Sequence, residues 1–167
     1  YKVYQKIVSS KLEKEKVPLP IEKAIIALKL LESKDLKKQL DYKDYYSKLT
    51  EIVKNYFEED ISLDALESTT DELIDKLELL KDAGKLSLNS ETIQNFKSVL
   101  KTADLVKFAK SNPGIEMASS DKKLLETVLL DTKEAIPAPT EEELLKNKEY
   151  LEKINKEKRN KLIKKLF

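Results

Sequence analysis

Cysteine, histidine and tryptophan are absent from this chain of 167 residues, and glycine occurs only twice. Each absence removes a class of chemistry. Without Cys there is no disulfide framework, thiolate nucleophile or zinc–thiolate site. Without His there is no imidazole base, no Ser-His-Asp triad and no imidazole metal ligand. Gly84 and Gly114 stand 30 residues apart, too far to build a GxGxxG turn or a Walker loop, which need several glycines close together. No apolar run approaches the ~20 residues a membrane span requires. Carboxylate, lysine, tyrosine and hydroxyl chemistry are what remain.

The chain is rich in charge. Charged residues make up 38% of it, against about 25% in ordinary globular chains, while the 40% that are apolar are enough for a real core. The net charge of +1 is unevenly spread: residues 1–16 and 140–167 each carry +3, and 17–139 carry −5. Of the basic residues 31 are Lys and only Arg159 is Arg. Specific phosphate or base recognition favours the bidentate Arg fork, so this balance counts against a nucleic-acid partner.

The hydrophobic spacing is helical throughout. Pro20 opens a helix over about 20–33, with Ile21, Ala24, Ile25, Leu28 and Leu31 three and four apart. A second helix, capped by Asp41, carries Tyr45, Leu49, Ile52, Val53, Tyr56 and Phe57 on one broad face. Residues 60–66 read as a short connector. Thr69 and Glu72 form a capping box before Leu73, Ile74, Leu77 and Leu80, and Gly84 fits the left-handed position past that helix's end. Asn89 caps the next helix, with Leu88 and Ile93 as a hydrophobic staple; Ile93, Phe96, Val99, Leu100, Ala103, Val106 and Phe108 carry its apolar side to about residue 110. Asn112, Pro113 and Gly114 make a turn, and Ser120 or Asp121 opens a helix bearing Leu124, Leu125, Val128 and Leu129. After Pro137 and Pro139, Thr140 and Glu143 form another capping box, and the last helix runs toward Phe167 with Leu144, Leu145, Leu151, Ile154, Leu162, Ile163 and Leu166 as its apolar residues. Residues 155–161 are all polar, which points to a distal part that projects into solvent or meets a partner. The expected fold is all-α: a compact bundle of about six helices with a long, basic, partly projecting C-terminal helix. Three parts are expected, a juxtamembrane-like segment over 1–19, a helical domain over 20–136 and a Pro-linked helix over 137–167.

Several constellations have a bland and a sharp reading. Tyr42, Tyr45, Tyr46 and Tyr56 suggest a stacking platform for bases, but they share the helical spacing of the aliphatic residues and fit a buried face better. The acids at 58–60 and Asp64, Glu67, Asp71 and Glu72 lack calcium-loop spacing; capping and solvated surface account for them. The two helices joined around Gly84 lack Arg at the front of the second, where a recognition helix places its reading residues, and antiparallel packing explains them. The basic, partly amphipathic KINKEKRNKLIKKLF segment suits an acidic partner or anionic lipid, although a solvated C-terminal helix explains its charge run as well. Its Leu162, Ile163, Leu166 and Phe167 are the candidate partner-binding residues. No catalytic residue, cofactor or metal is expected.

The opening YKVYQK pairs Tyr with Lys, the combination that flanks a membrane span on its cytoplasmic side. With a first residue that is Tyr and not Met, it reads equally as a soluble piece of an anchored protein or as an ordinary helix or linker of a soluble one. Tyr45, Tyr46, Leu49, Ile52 and Tyr56, followed by ALESTTDEL over 65–73 and ADLVKFAK over 103–110, carry a resemblance across roughly 20–135. The chain is similar to the C-terminal cytoplasmic domain of Bacteroidetes-type single-pass membrane proteins, related to the Bat aerotolerance group. The resemblance implies an extracytoplasmic β-rich region, one span and then this helical domain. It also implies protein partners of the MoxR-type ATPase or von Willebrand A type, and it brings no catalytic residues. The expected function is therefore a non-enzymatic protein-interaction domain on the cytoplasmic face of the inner membrane. The alternative is a small nucleic-acid-binding regulator that uses the basic termini.

Overall fold

Six helices follow one another: α1 (Pro20–Leu30), α2 (Gln39–Ile61), α3 (Thr70–Asp82), α4 (Ser90–Phe108), α5 (Ile115–Ala135) and α6 (Glu141–Leu166). The computed structural model describes residues 19–137 and 141–166, without the side chains of Glu141, Glu143, Leu144 and Asn147, and contains no strand among them. The all-α expectation of about six helices holds. The juxtamembrane-like segment, the Pro139 break, the Thr140 capping box and Phe167 lie outside the described residues. Leu19–Pro137 form one packed unit, and α6 belongs to another.

The helix ends follow local chemistry. Thr69 Oγ1 accepts from the Glu72 N–H at 3.3 Å, and the Glu72 carboxylate accepts from the Thr69 N–H at 3.4 Å, the reciprocal box read from the sequence. Gly84 takes φ +68°. Its N–H donates to Lys81 O, and the Lys85 N–H donates to Leu80 O, both at 3.0 Å. This left-handed Schellman closure satisfies carbonyls that α3 cannot pair internally. Asn89 Oδ1 accepts from the Glu91 N–H at 3.0 Å. Asp41 caps α2 from inside its first turn and not from the position before it: its carboxylate accepts from the N–H groups of Lys38 at 2.9 Å and Lys37 at 3.1 Å.

Within Leu19–Pro137, α2, α4 and α5 pack against one another in pairs, α1 lies against α2 and α5, and α3 lies against α4. The residues chosen by spacing fill the interior. Leu49, Val53, Phe57, Leu73, Leu77, Ile93, Val99, Ala103, Leu125 and Leu129 are all fully buried. Phe57 of α2 meets Phe96 of α4 edge to face, with ring centroids 5.2 Å apart, a geometry in which the positive ring edge meets the negative face. The connectors contribute too: Leu63, Ala65, Leu86 and Leu88 are buried, and the Ser87 N–H donates to Ala135 O at 3.2 Å, tying the α3–α4 link to the end of α5. Lys122 Nζ of α5 donates to Leu31 O at 2.7 Å, closing α1 with a cation at its negative end.

Two expectations are corrected. α5 begins at Ile115, ahead of Ser120 and Asp121. Gly114 precedes it at φ +91°, and its N–H donates to Asn112 Oδ1 at 3.2 Å, so the turn launches the helix directly. Phe108 is 82% exposed and not part of the core. It lies two residues past buried Val106, about 200° around a helix, and so faces away from the interior.

Candidate functional site

Leu162, Ile163 and Leu166 all lie on α6, and none of the described side chains of that helix is buried. Leu162 and Ile163 are half-buried, whereas Leu145, Tyr150, Leu151 and Leu166 are exposed. Helical spacing gathers these residues. Leu151, Leu162 and Leu166 are 11 and 4 residues apart, which puts them on one side of the cylinder, and Leu145 and Ile163 share a direction five turns apart. Around the stripe the charge is split along the axis. Glu142 pairs with Lys146 at 3.0 Å near the start, and Lys158, Arg159, Lys161, Lys164 and Lys165 crowd the far end. Such a surface offers apolar contact with a charged rim. Among its described residues no three acids gather as a metal site.

The interior of the bundle holds a polar cluster that the sequence did not announce. Tyr46 is fully buried, and its hydroxyl donates to Asp121 Oδ2 at 2.6 Å. Its neighbour Tyr45, set edge to face against it at 5.5 Å, donates to Ala118 O at 2.8 Å. Burial pushes the Asp121 carboxyl above the usual carboxylate range, against the downward pull of the Tyr46 hydrogen bond. Burial and then the Asp121 charge push the Tyr45 phenol up to about 12; burial, then the hydrogen bond to Asp121, push Tyr46 up as well. One turn further along α2, Thr50 donates to Tyr46 O at 2.9 Å and accepts from Lys107 Nζ at 3.2 Å. Lys107 is held below its ordinary pKa by burial first and the nearby Lys54 charge second, with Asp104 opposing.

These groups bolt α2 to α5 and α4. A phenol with a raised pKa keeps its proton at neutral pH and so is not available as a base, and among the described residues every buried side-chain nitrogen and oxygen has a partner. Two cavities open elsewhere in the bundle. One of about 340 Å³ lies against Ser87, Asn89, Thr92, Asp131 and Glu134. The other, about 290 Å³, runs between α1 and α2 beside Ala24, Ala27 and Ile52, crossed by a 3.0 Å ion pair from Lys23 to Glu59. Tyr46, Asp121 and Lys107 line neither cavity. The only signal that could have found the cluster was Asp121 itself, placed four residues before Leu125 and so on the core side of α5. In the sequence it looks like a helix opener, because an acid preceding an apolar run is also what an N-cap looks like.

The remaining candidates have structural duties. Tyr42, Tyr45, Tyr46 and Tyr56 are buried, which removes them as a base-stacking platform. Glu58 accepts from the Leu66 N–H, Asp60 from the Tyr56 hydroxyl, and Asp71 pairs with Lys101. Among the described residues no three acids gather as a metal site, and no helix is long and apolar enough to cross a membrane. Thr92, at the front of α4, is buried and donates to Asp131 at 2.9 Å, so part of that front faces inward. No protein-family model, curated protein or solved structure matches the chain.

Proposed function

We propose that the chain is a non-enzymatic protein-interaction domain, in which a closed helical core carries an amphipathic helix for docking. The observation that carries this reading is α6: 26 residues of helix with none of its described side chains buried. Most helical stability in proteins comes from packing an amphipathic face and not from intrinsic propensity. A helix-in-groove or helix-on-helix contact supplies that packing. The sequence resemblance supports a setting on the cytoplasmic side of a membrane-anchored bacterial protein. It also supplies the first partners to test, a MoxR-type ATPase and a von Willebrand A-type protein.

The test compares the full chain with one ending at Pro137, each titrated with purified candidate partners by calorimetry. The truncated chain keeps its cooperative unfolding, because the buried apolar core of the described residues lies between Ala24 and Ala135. Binding to the full chain that is lost on truncation supports docking through α6. Equal binding by both chains removes α6, with Leu162, Ile163 and Leu166, as the docking surface.

A further inference from the structure

We infer that the occupant of the α6 stripe is a second copy of this chain, paired antiparallel through α6; this rests on the reading of α6 as a docking helix and names its partner. The argument begins with charge. Residues 141–153 hold five acids against three lysines, whereas 154–166 hold six basic residues against Glu157 alone. The first half of the helix is therefore net negative and the second half strongly positive. A parallel pair would set the positive half beside its own copy. An antiparallel pair sets each positive half beside a negative one, bringing Lys164 and Lys165 opposite Glu142 and Glu143. Like charges placed together across an interface are penalised, and complementary ones set the register.

The apolar residues obey the same symmetry. α6 has its midpoint between Lys153 and Ile154. A two-fold axis there places exposed Leu145 of one copy against half-buried Leu162 of the other, and brings the two copies of Leu151 near the centre. Two-fold pairing uses one patch on both chains, so that each contact is made twice. The two apolar clusters, separated by the polar run 155–161, are then not a defect of the stripe: each end of one helix meets the opposite end of the other. A partner of different sequence would need to mirror both the charge split and the two clusters, which α6 supplies for itself.

The chain has no Cys, so introduced thiols report position cleanly. Sedimentation equilibrium of the unmodified full chain at low salt should give twice the 19.2 kDa monomer mass. Leu145→Cys and Leu162→Cys, mixed under mild oxidant, should form a disulfide with each other and little with themselves. Lys164→Glu with Lys165→Glu should weaken the dimer by about tenfold, and adding Glu142→Lys with Glu143→Lys should restore it. A monomer at every concentration overturns the inference. Self-cross-linking of each single variant, the signature of a parallel pair, overturns it too. If the full chain is monomeric yet loses a candidate ATPase on truncation at Pro137, the docking reading stands and only the self-pairing falls.

Discussion

α4 and α6 carry the same number of large or small apolar side chains, eight each, but α4 spreads them over 19 residues and α6 over 26. The consequence is large. α4 buries seven residues, Thr92, Ile93, Phe96, Val99, Leu100, Ala103 and Val106, whereas no described side chain of α6 is buried. In α4 the apolar positions recur every turn, so one continuous face closes against α2, α3 and α5. In α6 the recurrence breaks over 155–161, and charged residues occupy the turns between. Periodicity alone makes both segments helices; the density of the stripe separates a helix that builds a core from one left with an edge to offer.

The contrast breaks most visibly on large-to-small substitution. Leu49→Ala or Phe57→Ala in α2 should destabilise the bundle by about 3–5 kcal/mol in urea unfolding, since each side chain is fully buried and its removal leaves a cavity that the surroundings only partly fill. Leu151→Ala in α6 should shift the same transition by less than about 0.5 kcal/mol. A comparable loss from the α6 substitution would erase the distinction between the two regions.

A smaller effect sharpens the difference between buried and exposed acids. Tyr46→Phe strips Asp121 of its donor and should cost about 1–3 kcal/mol, the penalty of a buried acceptor left unpaired. The pH dependence has a definite sign. The folded-state pKa of Asp121 is raised, so the folded protein binds that proton more tightly than the unfolded chain does. Its contribution is full at low pH and is lost as pH rises through the folded pKa. The stability of Asp121→Asn relative to the parent should therefore improve as pH rises through that range, as measured by thermal unfolding across pH. The exposed acids run the other way. Asp41, held low by the Lys38 and then the Lys37 N–H, and Asp71, held low by Lys101, contribute stability above the unfolded carboxylate pKa that fades as pH falls.

Smallest are the helix ends. Thr69→Ala should cost about 1 kcal/mol through loss of the α3 cap. Gly84→Ala should cost about 1–2 kcal/mol, because the position holds φ +68° and a Cβ is disfavoured there even in open space. Neither change should alter the oligomeric state, which tests whether the bundle and α6 act independently.

Much of the architecture was legible residue by residue. The Thr69–Glu72 box, the Asn89 cap and the Gly84 closure are contacts between neighbours in the chain, so short sequence motifs specify them. The apolar stripes of α1 to α5 were legible because burial follows the 3.6-residue period. Phe108 was misread because its apolar character was counted ahead of its register, about 200° around the helix from buried Val106. The start of α5 was misread because 115–120, with Ile115 and Met117 exposed, carries no amphipathic signal of its own. Of the candidate docking residues, the sequence placed Leu162, Ile163 and Leu166 on one helix, and their half-buried or exposed state came with the structure.

By itself the sequence determined that this protein is helical, where most of its helices start and stop, and which chemistries lie beyond a chain without Cys or His. These follow from local backbone sterics, capping hydrogen bonds and composition, none of which needs a distant partner. Only the tertiary structure decided that Tyr46 meets Asp121, 75 positions away along the chain, that Lys107 reaches Thr50 and that Lys122 closes α1. Which helix faces pack together depends on the fit of whole side-chain surfaces, and a polar pair survives in that interior because folding brings both of its members out of water together.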